Sequence, residues 1–200
     1  MRMTARRESI VEAAAELFAE RGYEATPVAE IARRAGVSEG AIFRHFPSKE
    51  QLLLRILTNI RKRFFAYFEQ HHRFVPGEAG LDMVLRLTRL FCGFYEEREQ
   101  DFDCIQQSNP YRVREVGEEC RAEIARVHDK MIELLEVAIS LGSRDGSLAP
   151  GPVAERALLV HGLLMGMVRL RLFAPERHLR ELEPELLRLV ADGLRGPSLR

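Results

Sequence analysis

The residue types that could do chemistry in this chain gather between positions 26 and 49. Val37, Ile42 and Phe46 give one short helical pattern a buried side, while Glu39, Gly40, Ala41, Arg44 and His45 fall on its other side. Ser38 stands where an N-cap is needed. Two small residues near the start of such a helix let its backbone approach a groove floor, and the donors and acceptor around them suit base edges or phosphates. Lys49 opens the next helix, where a cation opposes the dipole at a cost of about 0.3–1 kcal/mol in an exposed site. An anion is therefore expected beside it, and a phosphate held by the free N–H groups together with the lysine answers that need.

The elements that must hold these groups are legible on either side. Thr26 is expected to cap a preceding helix with Pro27 at its first position, where a missing N–H costs nothing and the fixed φ is already helical. Val28, Ile31 and Ala32 recur at helical spacing against polar Glu30, Arg33 and Arg34. Gly36, within Ala35-Gly36-Val37, supplies the positive φ of a tight turn between helices. Pro47 stops the second short helix, and Ser48 with Gln51 forms a capping box for a longer one. Two short helices joined by a tight turn and followed by a third helix start have the layout of a DNA-reading helix-turn-helix.

A first helix carrying Arg7, Ile10, Ala13, Ala14, Leu17 and Phe18, then Gly22-Tyr23, precedes this motif, and Phe46-Pro47-Ser48-Lys49-Glu50 with Leu53 closes it. Together these residues closely resemble the N-terminal domain of TetR-family transcriptional regulators. The resemblance covers about a quarter of the chain as motif, and the all-helical remainder is compatible with it. It implies that Thr26, His45 and Lys49 contact phosphates and that Ser38, Glu39, Gly40, Ala41, Phe43 and Arg44 approach bases or backbone. Position 43 departs from the family pattern, in which a tyrosine hydroxyl reaches DNA. Phe43 has lost that hydrogen bond, leaving apolar contact with a thymine methyl or simple packing as its alternatives. The resemblance further implies an effector cavity and a four-helix dimer interface in the C-terminal part.

The 200 residues suit two small coupled helical units, and 46% apolar content is enough for a core. Net charge is zero, yet residues 1–73 carry 13 Lys/Arg against 9 Asp/Glu, and residues 74–200 carry 17 against 21. The basic excess thus lies with the motif, and its small size points to a few placed contacts rather than a broad positive surface. Arg61-Lys62-Arg63 lies about 18 Å along its helix from Lys49 and is read as a solvated or salt-bridged face. Arg2, Arg6 and Arg7, on an arm ahead of the first helix, are candidates for extra phosphate or minor-groove contacts. The most apolar run, Ala157 to Val168, is interrupted by His161 and followed by Arg169 and Arg171, so no membrane span is expected. With no signal peptide at the start and three scattered cysteines, a cytoplasmic location is expected.

Periodicity gives an all-α chain of about nine helices without strands. A helix-turn-helix DNA-binding domain is expected over 1–50, a connecting fourth helix over 51–75, and a helical ligand-binding and dimerisation domain over 76–200. Val75-Pro76-Gly77 marks the last boundary. Within the C-terminal part, apolar periodicity runs from Leu81 to Phe94, fades over Glu96 to Asp103, and returns in a long helix from about Val113 to Leu141. A loop over 142–152 leads to a helix from Val153 to Phe173, ended by Ala174-Pro175. A last helix follows, kinked or begun at Pro184.

Candidate ligand residues are Phe91, Tyr95, Phe102, Tyr111, His128, Met131, His161 and Met165, a mix of apolar walls and isolated polar groups suited to a small, partly apolar effector; an ordinary core reading stays open. For the dimer, Leu159, Gly162, Gly166, Leu186, Leu189 and Val190 are expected to pair with the same residues of a second copy. Two short recognition helices read more base pairs than one, so dimerisation also follows from the DNA side. His71-His72 and the cysteines Cys92, Cys104 and Cys120 are read as a solvated helix end and inert core, with no metal site and no cofactor. No catalytic spacing is found. The expectation is a homodimeric, effector-released regulator, a repressor in preference to an activator, on a pseudo-palindromic operator of double-stranded DNA. The alternative is a DNA-tethered module whose C-terminal domain binds a partner protein.

Overall fold

A computed structural model describes residues 2–73, 75–111, 113, 116–170, 172–174, 176 and 178–196, with the backbone alone for 2–4. Among the described residues there are nine helices and no strand: α1 (Arg2–Arg21), α2 (Val28–Ala35), α3 (Glu39–His45), α4 (Lys49–His71), α5 (Gly80–Glu97), α6 (Glu99–Ser108), α7 (Glu118–Asp145), α8 (Val153–Leu170) and α9 (Leu179–Arg195). None is long and apolar enough to cross a membrane.

The chain forms two compact units that interleave along the sequence: residues 1–64 with 98–126, and residues 65–97 with 127–200. In the first unit, Ile10, Leu17 and Phe18 of α1 share a core with Ile31, Ile42, Phe46 and the α4 residues Leu52, Leu53, Ile56, Leu57 and Ile60. Cys104 of α6 and Cys120 and Ile124 of α7 are buried in that same core. The sequence division runs consecutively along the chain, but α6 and the start of α7 fold with the helix-turn-helix. Ion pairs reinforce this arrangement. Arg63 grips Asp101 through two hydrogen bonds of 2.9 and 2.6 Å, and Arg61 donates to Glu123 at 2.7 Å. The basic trio on α4 is therefore salt-bridged at two of its members.

In the second unit, Val84, Leu87, Phe91, Phe94 and Tyr95 of α5 are buried, as are Met131, Leu135 and Ile139 of α7 and Leu186, Val190 and Leu194 of α9. α7 runs four residues beyond the Leu141 expected from periodicity. Tertiary caps explain the extension. Asp145 accepts the backbone N–H of Gly80 at 2.8 Å, Ser147 accepts that of Leu81 at 3.1 Å, and a Cβ on Gly80 would run into the Gly142 backbone. Gly142-Ser143-Arg144-Asp145 is thus drawn into the helix because it supplies the N-terminus of α5 with acceptors and a flat surface.

Other boundaries moved too. The acidic stretch where periodicity faded holds a separate helix, α6, ended by Asn109 in the left-handed region at φ 41°. α9 begins at Leu179, with Pro184 inside it. α8 ends at Leu170; the expected stop at Pro175, like Arg171, lies outside the described residues. The first helix starts at Arg2, so Arg6 and Arg7 sit on a helix and not on a free arm. The Arg7 guanidinium lies 5.2 Å over the Phe46 ring, a cation–π contact that commits it to packing.

Candidate nucleic-acid interface

α3 is built as its residue types demand. The Ser38 hydroxyl accepts the N–H of Ala41 at 3.2 Å, and Gly36 takes φ 66°, closing the turn after α2. Ser48 repeats the device for α4 by accepting the N–H of Gln51 at 3.1 Å. With Ile42 and Phe46 buried, the opposite side of α3 presents Glu39, Gly40, Phe43 and Arg44 to solvent beside exposed Ser38. Phe43 is 47% exposed, a large apolar side chain left outside the core. His45 and Lys49 are half-buried at the far end. A donor, an acceptor, a ring and an open glycine within two turns form a surface able to enter a major groove.

Two of the residues assigned to that surface are buried. Ala41 is one of the two buried residues of α3, its methyl taken into the core beside Ile42. Thr26 does not cap α2: the N-cap is Pro27, without a side-chain bond, and the Thr26 hydroxyl donates to the Gly22 carbonyl at 2.7 Å. Gly22, at φ 82°, turns the chain away from α1 and leaves carbonyls at that helix end without helical partners. Thr26 folds inward to satisfy one of them and is fully buried.

Lys49 has partners within the protein. Its ammonium donates to the carbonyls of Tyr23 at 2.8 Å and Thr26 at 3.1 Å and lies 4.3 Å from the centroid of the Tyr23 ring. The negative partner that its place in the first turn of α4 required is present within the protein. Arg34 is likewise committed, to Glu16 and Glu20 of α1, and holds the Glu20 carboxyl below the usual carboxylate range. Glu30 bridges Arg21 and Arg33. These pairs fix α2 against α1 and leave α3 as the outward element.

The other predicted sets divide. Of the ligand candidates, Phe102 and Tyr111 lie in the first unit, Tyr111 exposed; Phe91, Tyr95, His128, Met131, His161 and Met165 lie in the second. The aromatic residues read around the acidic segment are thus divided between the two units, with α6 assigned to the first. Within the second unit His128 Nδ1 and His161 Nε2 are 2.9 Å apart, and His161 Nδ1 is buried with no hydrogen-bond partner among the described residues. Burial, and then repulsion from His128, push the His161 imidazole down to about 4. A solvent-open cleft of about 300 Å³ in the same unit is lined by Phe65, Phe68, Glu69, His72, Lys130 and Leu134, none of them anticipated. Of the dimer candidates, Leu159, Gly162, Gly166 and Leu189 are exposed, whereas Leu186 and Val190 are consumed in the core of their own chain. Leu158, Leu163 and Leu170 widen the exposed apolar side of α8. Burial pushes the thiols of Cys92 and Cys104 up to about 12, in keeping with an inert role.

Fold and surface together define a helix-turn-helix DNA-binding protein with a helical second unit. Residues 10–56 match the family model of bacterial regulatory proteins, tetR family. The transcriptional repressor KstR2 of Rhodococcus jostii is 29% identical over 142 residues, 71% of this chain and 67% of that protein. The TetR-family regulator PfmR of Thermus thermophilus superposes with a TM-score of 0.76 at 28% identity, covering 96% of each chain. At 20% identity the likeness to FadR of Bacillus subtilis, crystallised with stearoyl-CoA, is one of fold, with a TM-score of 0.73 over 94% of this chain and 98% of that one. Residues 10–56 are a DNA-binding domain of the tetR type, and the chain, similar over most of its length to regulators of that family, is a DNA-binding transcriptional regulator.

Proposed function

We propose that this regulator is a homodimeric, cytoplasmic repressor that binds a pseudo-palindromic operator and leaves it when a small molecule enters the second unit. The observation carrying the DNA part is the exposed row Ser38, Glu39, Gly40, Phe43 and Arg44 on a helix whose other side is locked into the core. These residues read the groove. His45 reaches phosphate from the rim, while Lys49, Thr26 and Ala41 hold the reading helix in place. Residues 1–50 carry recognition, 51–75 transmit, and 76–200 take the effector and the second copy, even though part of that last stretch folds into the first unit.

The dimer reading is supported by α8, where Leu159 is 73% exposed and, among the described residues, nothing beyond the adjoining turns of the helix lies within 4 Å of a Cβ built on Gly162 or Gly166. An apolar, flat-sided helix of this kind suits close packing against its own copy across a two-fold axis. The effector reading is supported by the orphaned Nδ1 of His161 on a helix whose other buried residues are apolar, which suits a mostly apolar molecule bearing one hydrogen-bonding group. The stearoyl-CoA bound by FadR illustrates that this fold admits an acyl ligand. Release requires the effector to prefer the non-DNA state, and by linkage operator must then weaken effector binding by the same factor.

The test is selection of random duplex DNA on the purified protein at moderate salt. An enriched inverted repeat is the expected result and supplies the operator for effector screening by release. A folded, dimeric protein that enriches no motif would overturn the operator reading and favour a module whose second unit binds a partner protein.

A further inference from the structure

Only three residues separate α3 from α4, so the first turn of α4 governs how the reading helix is held. That turn is bonded to the start of α7. The Glu50 carboxylate accepts the backbone N–H of Gly117 at 2.7 Å, and the Cys120 thiol lies 3.9 Å from the Glu50 carbonyl as its donor. Gly117 immediately precedes α7 and accepts the N–H of Arg121, which makes it the capping position of that helix. In a capping box the side chain three residues into a helix reaches back to the N–H of its cap residue. Here that third position is Cys120, which has no such acceptor, and a glutamate from another helix takes its place. The carboxylate also lies where the dipole of α7 favours a negative charge. A side chain at position 117 would have to displace the carboxylate from this N–H, since its Cβ would sit 2.5 Å from Glu50 Oε1.

We infer that Glu50 is a positioning residue that latches the recognition helix to the amino end of α7. α7 passes from the first unit into the second at residues 126–127, so its start is the point at which a change along that helix is delivered to the turn behind α3. The Arg61–Glu123 pair joins the same two helices further along α4 and keeps the latch in register. The role rests on the reading of Ser38 to Arg44 as the DNA-contacting face.

The experiment uses the full-length dimer and the operator duplex obtained by selection, with Glu50→Ala, Glu50→Gln and Gly117→Ala variants shown to be folded by circular dichroism. Glu50→Ala and Gly117→Ala are each expected to weaken operator binding about tenfold, consistent with loss of one charge-assisted hydrogen bond. The double variant should lose no more than the worse single one, since both break the same link. Glu50→Gln, which keeps an acceptor, should recover most of the affinity. Amide exchange over residues 117–121 should slow on adding operator to the native protein and not to Glu50→Ala. A residue that only stabilised the fold would lower the melting temperature and leave the operator affinity of the folded protein and this remote protection unchanged. That result, or additive losses in the double variant, overturns the latch. If the native protein selects no operator at all, the DNA reading itself has failed, a separate outcome.

Discussion

Lys49 shows how one side chain can be singled out from sequence for the right reason while a counterpart within the fold stays hidden. Its position in the first turn of α4 demanded a negative counterpart, and the carbonyls of Tyr23 and Thr26 provide it. Folding brings the loop after α1 beneath α4 across more than twenty residues, a proximity no local pattern encodes. Thr26 and Ala41 misled for a related reason: both have the right type and spacing for a surface role, but tertiary satisfaction of the α1 end and close packing in α3 claim them. Ser38, Gly36 and Ser48, whose roles are set within four residues, were fully legible. Lys49→Met should therefore lower unfolding free energy by about 2 kcal/mol in urea titration, because two buried-side carbonyls lose a charged donor. Arg44→Ala should leave stability unchanged and relax preference at one base pair by about 1–3 kcal/mol, seen by comparing cognate with singly substituted operators. His161 adds a pH dependence. Its imidazole titrates near 4 in the folded chain against 6.5 ordinarily, so between those values the unfolded chain holds the extra proton. Stability contributed by this group is thus intact above about pH 6.5 and falls as pH drops toward 4. Between pH 7 and 5, His161→Phe should lose roughly 2 kcal/mol less than the native protein in paired urea melts.

Helix existence was readable wherever apolar residues recur at helical spacing, which leaves out only α6. Helix ends were not, where a cap comes from a distant segment. α7 continues past Leu141 because Asp145 and Ser147 serve the start of α5, and α6 forms within an acidic stretch because Cys104 and Ser108 are buried against other helices. Nothing in the spacing of Phe102 or Tyr111, likewise, says which unit that segment will join. The close approach of α5 and α7 gives a test of sign. Gly80→Ala must push its Cβ into the Gly142 backbone and should cost about 3 kcal/mol of stability. Gly193→Ala, on α9 where nothing lies within 4 Å, should instead gain about 0.5–1 kcal/mol through helix propensity. Thermal denaturation of both variants beside the native chain decides the matter.

At the level of the assembled molecule, the balanced net charge conceals a division of labour. The excess of basic residues over 1–73 accompanies the reading helix, yet several of those arginines are spent on Glu16, Glu20, Glu30, Glu123 and Asp101. Affinity for DNA must then come from few phosphates, and two-fold duplication of the contacts becomes the main route to tight binding. Leu159→Arg, at the most exposed apolar position of α8, should convert the proposed dimer to a monomer in sedimentation velocity with its helix content intact, and operator retention should be lost with it. The sequence foretold the apolar side of α8 but over-assigned α9, where Leu186 and Val190 turn inward.

The polypeptide passes between its two compact units at residues 64–65, 97–98 and 126–127. Neither unit is a contiguous stretch, so a gene fragment cut after the helix-turn-helix or after α4 would strip α1 of the helix that covers it. Exchange of DNA-binding specificity between regulators of this architecture is therefore a problem of three junctions. A chimaera that carries 98–126 along with 1–64 inherits a complete core, and one spliced at a single point must re-match the α1–α6 surface side chain by side chain.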